Sequence, residues 1–103
     1  MQDFPKWNPQ KNTLKLMRCN DLNIRKKVVR NSASNFISKP NVRKALFELK
    51  GDKCYICGSE ATQIDHKISA AAFASDTTLD IRQLNHFDNL YPICAKCNCS
   101  KTP

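Results

Sequence analysis

Cys54-Tyr55-Ile56-Cys57-Gly58 and Cys94-Ala95-Lys96-Cys97-Asn98 decide how this chain is read, and Asp65-His66 lies between them. A two-residue spacer lets both thiolates of a Cys-x-x-Cys pair turn toward one ion, and two such pairs complete a tetrahedral, all-sulfur site suited to Zn²⁺. Gly58, directly after the second thiolate, fits the tight left-handed turn of such a loop. The rival reading, two disulfides in a secreted mini-protein, needs an oxidising compartment, and the sequence opens on no signal-peptide pattern. Paired Cys-x-x-Cys spacing favours the metal. The spacer 58–93 is long for a plain zinc ribbon and has room for a site of its own.

At 103 residues the chain is expected to form one domain with a modest core, which a bound metal would help to stabilise. Its formal charge of +8 is unevenly placed. Residues 1–53 carry thirteen Lys/Arg against four Asp/Glu, a balance of +9, whereas residues 54–103 carry four against five, a balance of −1. A basic half joined to a near-neutral half that holds metal suggests a polyanion gripped by one and processed by the other. A merely solvated basic surface is the plainer alternative. The longest apolar run, Ala70 to Ala74, is far too short to span a bilayer, so no membrane association and a cytoplasmic location are expected.

Residues 1–12 place Phe4, Pro5, Trp7 and Pro9 among polar residues without helical or strand period, and read as an extended arm. Residues 13–50 read as a basic, mainly helical segment. Thr13 to Arg18 alternates weakly, as a short strand does, whereas Asp21 can cap a helix to about Arg30 with Leu22, Val28 and Val29 toward one side. Arg25, Lys26, Lys27 and Arg30 can track a phosphate backbone, or form a solvated helix face. Cys19 and Cys99 lack the paired spacing and are read as free thiols, Cys99 being close enough to Cys97 to serve as a spare ligand.

Ser38 to Gly51 is the clearest helix. Pro40 suits its first turn, Gly51 its stop, and Val42, Ala45, Leu46 and Leu49 recur at i, i+3, i+4 and i+7 as a core stripe. Arg43, Lys44 and Lys50 fall off that stripe and are expected to face solvent or DNA.

From Cys54 onward the order of motifs resembles the HNH (ββα-metal) nucleases, in the branch with zinc knuckles. The likeness rests on Cys-x-x-Cys-Gly, Asp65-His66 eight residues later, Asn89-Leu90, and Cys-x-x-Cys-Asn with Lys101 three residues on. It covers about residues 40–101. The resemblance implies an α+β fold, with a small zinc-stabilised ββα core over 51–103 preceded by the basic helical segment. It places strands near Thr62–His66 and Leu90–Ile93, a long loop between them, and a short helix from about Ala95.

His66 suits a general base, because neutral imidazole near pH 7 can take a proton from water. The resemblance makes Asp65 a ligand of a catalytic metal, although in a regular strand it would point away from His66 unless the strand bends there, as the family's does. It makes Asn98 the second protein ligand and Asn89 the residue that orients the base and its loop. A carboxylate and an amide oxygen are hard donors, which favours Mg²⁺ or Mn²⁺. Lys101, one turn past Asn98, would face phosphate. Singly, each has a plainer reading: Asp65 in a turn, His66 in the core, Asn89 capping a loop, Asn98 capping a helix. His86 reads as structural, with phosphate contact as its alternative.

This chain departs from the family pattern in two ways. Thr102-Pro103 leave little helix after Asn98, and the loop after Asp65-His66 lacks the family's proline and glycine cluster. Ala70 to Ala74 can form a helical turn there instead. The expectation is a metal-dependent endonuclease acting on DNA, double-stranded for preference. The alternative is a non-catalytic, zinc-dependent nucleic-acid-binding module, and RNA as substrate is a weaker third reading.

Overall fold

The computed structural model describes residues 5–100. Helices α1 (Lys11–Met17), α2 (Leu22–Ile37) and α3 (Pro40–Lys50) come first, followed by strand β1 (Gln63–His66), helix α4 (Ala70–Ser75), strand β2 (Leu90–Ile93) and helix α5 (Ala95–Ser100). Single 3₁₀ turns at Ile81–Gln83 and Phe87–Asn89 fill the connection before β2. The fold is α+β, with one antiparallel hairpin among the described residues. No helix among them is long and apolar enough to cross a membrane.

The basic segment differs from its sequence reading. Thr13–Arg18 is not a strand but lies mostly in α1, so helix begins at Lys11 and the arm is shorter than expected. Leu14 and Met17, one turn apart, pack onto a cluster that includes Val29 and Phe73, and this packing overrides the weak alternation. Asp21 caps α2 as expected, accepting from the Asn23 N–H at 2.9 Å. The helix then continues to Ile37, well past Arg30, although Asn31, Ser32, Ser34 and Asn35 are weak helix formers. Buried Val29, Ala33 and Phe36, at i, i+4 and i+7, hold it there. Leu22 instead stands exposed at the free end of the helix.

Helix α3 keeps its predicted ends, with Pro40 in the first turn and Gly51 at φ +86° as the stop. Val42, Ala45 and Leu46 are buried, but Leu49 is 46% exposed. The inward face is rotated toward Phe47, which packs on the Phe36–Leu46–Ile64–Leu90 cluster, so Leu49 falls at its edge.

Strands β1 and β2 pair in continuous register: Gln63 with Ile93, Ile64 with Pro92, Asp65 with Tyr91, His66 with Leu90. Ile64 and Leu90 enter the core shared with α2 and α3. In the intervening connection, Ser69 caps α4 by accepting from the Ala72 N–H at 3.1 Å, and Phe73 and Ala74 pack against Val29 and Ala33 of α2. The alanine run is therefore the helical turn that its composition allowed.

Candidate metal centre and adjoining hairpin

The two Cys-x-x-Cys loops meet. The sulfurs of Cys54, Cys57, Cys94 and Cys97 all lie within 4.8 Å of one another, and all six cysteines are free thiols. Cys57 and Cys94 stand 3.6 Å apart, far beyond the roughly 2 Å of a disulfide. That spacing is close to the roughly 3.8 Å between sulfurs that each lie about 2.3 Å from one tetrahedral ion. The donor set therefore suits a structural metal such as zinc.

Local backbone chemistry builds the site. Gly58, at φ +80°, turns the first loop so that its N–H donates to the Cys54 carbonyl at 2.9 Å. The Cys54 N–H donates to the Ser59 carbonyl at 2.7 Å, and the Tyr55 N–H ties the loop to β2 through the Pro92 carbonyl at 3.0 Å. Burial opposes ionisation of the Cys54 thiol, but the N–H groups of Cys57, Cys94 and Ile56 outweigh it and bring its pKa down to about 6. The Cys97 N–H likewise lowers Cys94. Cys97 itself is pushed up to about 12, because Cys94 and Cys57 bond to its thiol. Backbone N–H donors thus favour negative sulfur at Cys54 and Cys94.

The hairpin beside this centre carries the other predicted residues. Asp65 and His66 are both buried, and because the ladder runs through the pair without a bend, alternation sends their side chains to opposite faces. The expected bend at this pair is absent, since regular pairing with Tyr91 and Leu90 continues to the strand's end. Asp65 Oδ2 accepts from the Tyr55 hydroxyl at 2.6 Å. Partial burial first, then this carboxylate, raises Tyr55 above the ordinary tyrosine range. On the other face, His66 Nε2 lies 2.8 Å from Asn85 Oδ1.

Asn98, on α5, donates to the Gln63 side chain at 2.5 Å. Gln63 and Asp65 are two residues apart on β1 and share a face, so Asn98 belongs to the side of the hairpin that carries Asp65. Asn89 is buried and clamps the loop after β1: its Oδ1 accepts from the Ile68 N–H at 2.6 Å, and its Nδ2 donates to the carbonyls of Ile68 at 3.1 Å and Leu84 at 2.9 Å. His86 uses Nδ1 to accept from the Asp88 N–H at 3.1 Å, capping a 3₁₀ turn. Among the described residues, the four cysteines are the one group of three or more His, Cys, Asp or Glu side chains close enough to share an ion. A second ion at Asp65 would therefore draw its remaining ligands from amide oxygens and water.

The predicted basic residues divide. Lys26, Lys27, Arg30 and Lys44 are exposed. Arg25 is committed to structure: Nε donates to the Ala74 carbonyl at 2.9 Å and Nη1 to the Cys19 carbonyl at 2.5 Å. Arg43 donates to the Thr62 carbonyl at 2.5 Å and lies over the Phe47 ring. Lys50, expected to face solvent or DNA, instead donates to the Phe87 and Leu90 carbonyls, with its ammonium 3.9 Å from the Tyr91 ring centre. Carbonyls on other parts of the chain attract these long cations, which no sequence spacing reveals. Lys101 lies outside the described residues. Sequence reasoning missed Tyr55 and Asn85 and misplaced Lys50; Tyr55's position inside the first Cys-x-x-Cys pair was the signal available for it.

A hollow of about 540 Å³ between the arm, α1 and α2 contains none of these site residues. Another, of about 530 Å³, opens beside the hairpin and is lined in part by Lys67, Ile68, Asn89 and Tyr91. Comparison with protein-family models, with curated proteins and with solved structures gives no match for this chain.

Proposed function

We propose that this chain is a metal-dependent endonuclease of the HNH type that hydrolyses DNA phosphodiester bonds. The observation that carries this reading is the run β1–β2–α5 directly beside the four-cysteine cluster, with Asn98 bonded to Gln63 on the face of β1 that bears Asp65. Zn²⁺ on Cys54, Cys57, Cys94 and Cys97 is the structural ion in this reading. Asp65 and Asn98 would hold Mg²⁺ or Mn²⁺, which when bound supplies positive charge to the phosphate and its leaving oxygen.

In this reading the proton of the attacking water goes to His66, which requires the end of β1 to bend so that His66 and Asp65 reach one site. Asn89 fixes the loop that follows His66 by closing it onto Ile68 and Leu84. Exposed Lys26, Lys27, Arg30 and Lys44 meet phosphates along the strand. Arg25 and Arg43 serve this surface indirectly, by holding α2 and α3 to their neighbours.

The test is cleavage of supercoiled plasmid by the zinc-loaded protein with added Mg²⁺ or Mn²⁺, stopped by EDTA. His66→Ala should lower cleavage by about 10²–10⁴-fold at every metal concentration. Asp65→Ala should regain part of its loss at high Mn²⁺. Undiminished cutting by His66→Ala would remove His66 from the reaction.

A second reading, a zinc-dependent nucleic-acid-binding module without catalysis, is favoured by one observation. Asp65 and His66 are both buried and each already has a side-chain partner, Tyr55 and Asn85. Salt-sensitive DNA binding with no cleavage under any metal would select it.

A further inference from the structure

Asn85 was singled out by no sequence motif, yet its side chain is only 2% exposed and lies between two elements. Its Nδ2 donates to the backbone carbonyl of Ser32, on α2, at 3.2 Å. Its Oδ1 lies 2.8 Å from Nε2 of His66. A backbone carbonyl can only accept, so the amide atom facing Ser32 has to be the NH₂ group. That sets the orientation of the amide without reference to the imidazole. Oδ1 is thereby aimed at the ring, and an amide oxygen has no proton to give. The hydrogen in the His66–Asn85 bond therefore belongs to Nε2.

We infer that Asn85 is a positioning residue that locks His66 in its Nε2–H tautomer, leaving the lone pair of the neutral ring on Nδ1. With the opposite tautomer, two lone pairs would face each other at 2.8 Å in a buried space, too close for a water to come between them. The tautomer follows from the geometry alone. Its catalytic consequence, that His66 accepts a proton through Nδ1, rests on the nuclease reading. The carbonyl that orients Asn85 belongs to the same helix as the exposed Lys26, Lys27 and Arg30, so α2 joins the basic surface to the proposed base.

Long-range ¹H–¹⁵N correlation of the imidazole rings tests the lock in the zinc-loaded protein, above the ordinary histidine pKa. The chain has two histidines, so His86→Gln leaves the signals of His66 alone. His66 should show the Nε2–H pattern in otherwise wild-type protein. Asn85→Leu, of similar size but without an acceptor, should lose that pattern, and plasmid cleavage should fall by about 10²-fold or more. Asn85→Asp keeps the acceptor toward Nε2 but loses the donor to the Ser32 carbonyl, so it should retain the Nε2–H pattern at a cost in stability. An Nδ1–H pattern in the wild type, or an unchanged pattern in folded Asn85→Leu, overturns the inference. If Asn85→Leu does not fold, the wild-type and Asn85→Asp spectra decide. The Nε2–H pattern in a protein that cuts no nucleic acid would uphold the lock while overturning the nuclease reading, so the two fail separately.

Discussion

Tyr55 donates its hydroxyl proton to Asp65 Oδ2 at 2.6 Å, joining the first Cys-x-x-Cys loop to the strand that carries the Asp-His pair. The Tyr55 ring also rests 5.1 Å from that of Tyr91, the cross-strand partner of Asp65. A metal held by the cysteines would therefore fix the loop, the loop would fix Tyr55, and Tyr55 would fix one oxygen of Asp65.

Tyr55→Phe keeps the ring contact with Tyr91 and deletes only the hydroxyl. In the nuclease reading, losing a partner that orients a ligating carboxylate should raise the Mg²⁺ or Mn²⁺ concentration for half-maximal cleavage by about 10–100-fold. Bound zinc should stay unchanged. A lower metal requirement in the variant would show that the tyrosine blocks Asp65 instead of presenting it.

Replacing Cys54, Cys57, Cys94 or Cys97 by Ser should release the bound metal and unfold the hairpin region. Among the described residues, the cluster around Ile93 has just Cys54, Ile93 and Cys94 buried, so little apolar packing remains there without an ion. Cys19→Ser and Cys99→Ser should leave metal content and stability unchanged. Elemental analysis and thermal denaturation measure both, and folded, reduced protein lacking tightly held metal would contradict the assignment.

The exposed and the committed cations should behave differently. If the proposed DNA contact holds, removing Lys26, Lys27, Arg30 or Lys44 should weaken DNA binding about equally across sequences, and each lost phosphate contact should reduce the salt slope by about one. The fold should be unaffected, since these side chains are exposed. Arg25→Ala should mainly destabilise the protein, because it leaves the carbonyls of Ala74 and Cys19 without this donor. Binding titrations over a salt series, beside denaturation curves, separate the two classes. A salt-insensitive affinity would argue against backbone gripping.

Lys50→Met keeps the apolar stem but removes the donor shared by the Phe87 and Leu90 carbonyls, and should cost about 1–3 kcal/mol. Burial lowers the Lys50 pKa, with Asp88 opposing. Between that lowered value and the ordinary lysine range, the unfolded chain binds more protons than the folded one, so this group makes stability rise with pH. The stability of wild type minus that of Lys50→Met should therefore increase through that alkaline window. A decrease there would mean that the ammonium is held more favourably in the fold than in water.

Part of this architecture was legible because it depends on chemistry acting over a few residues. The Cys-x-x-Cys spacer, the turn at Gly58, the cap at Asp21, and Pro40 and Gly51 at the ends of α3 each fix backbone geometry within about one turn. The strand near Leu90–Ile93 and the helix from Ala95 also lie where the family resemblance placed them. These signals carry the α+β class and the four-cysteine cluster.

The remainder depended on which distant segment came alongside. Leu14 and Met17 make α1 a helix by packing beside Val29 and Phe73, and Ala33 and Phe36 carry α2 through a run of weak helix formers. Arg25 reaches Ala74, Arg43 reaches Thr62, Lys50 reaches Phe87 and Leu90, and Asn85 reaches Ser32, all across separate elements. A sequence shows that a side chain can donate, but not which carbonyl will come within its reach until the chain has closed. The sequence by itself therefore determined the four-cysteine cluster suited to a metal and the local turns that present it. Only the tertiary structure decided which cations stay exposed, and which amide faces His66.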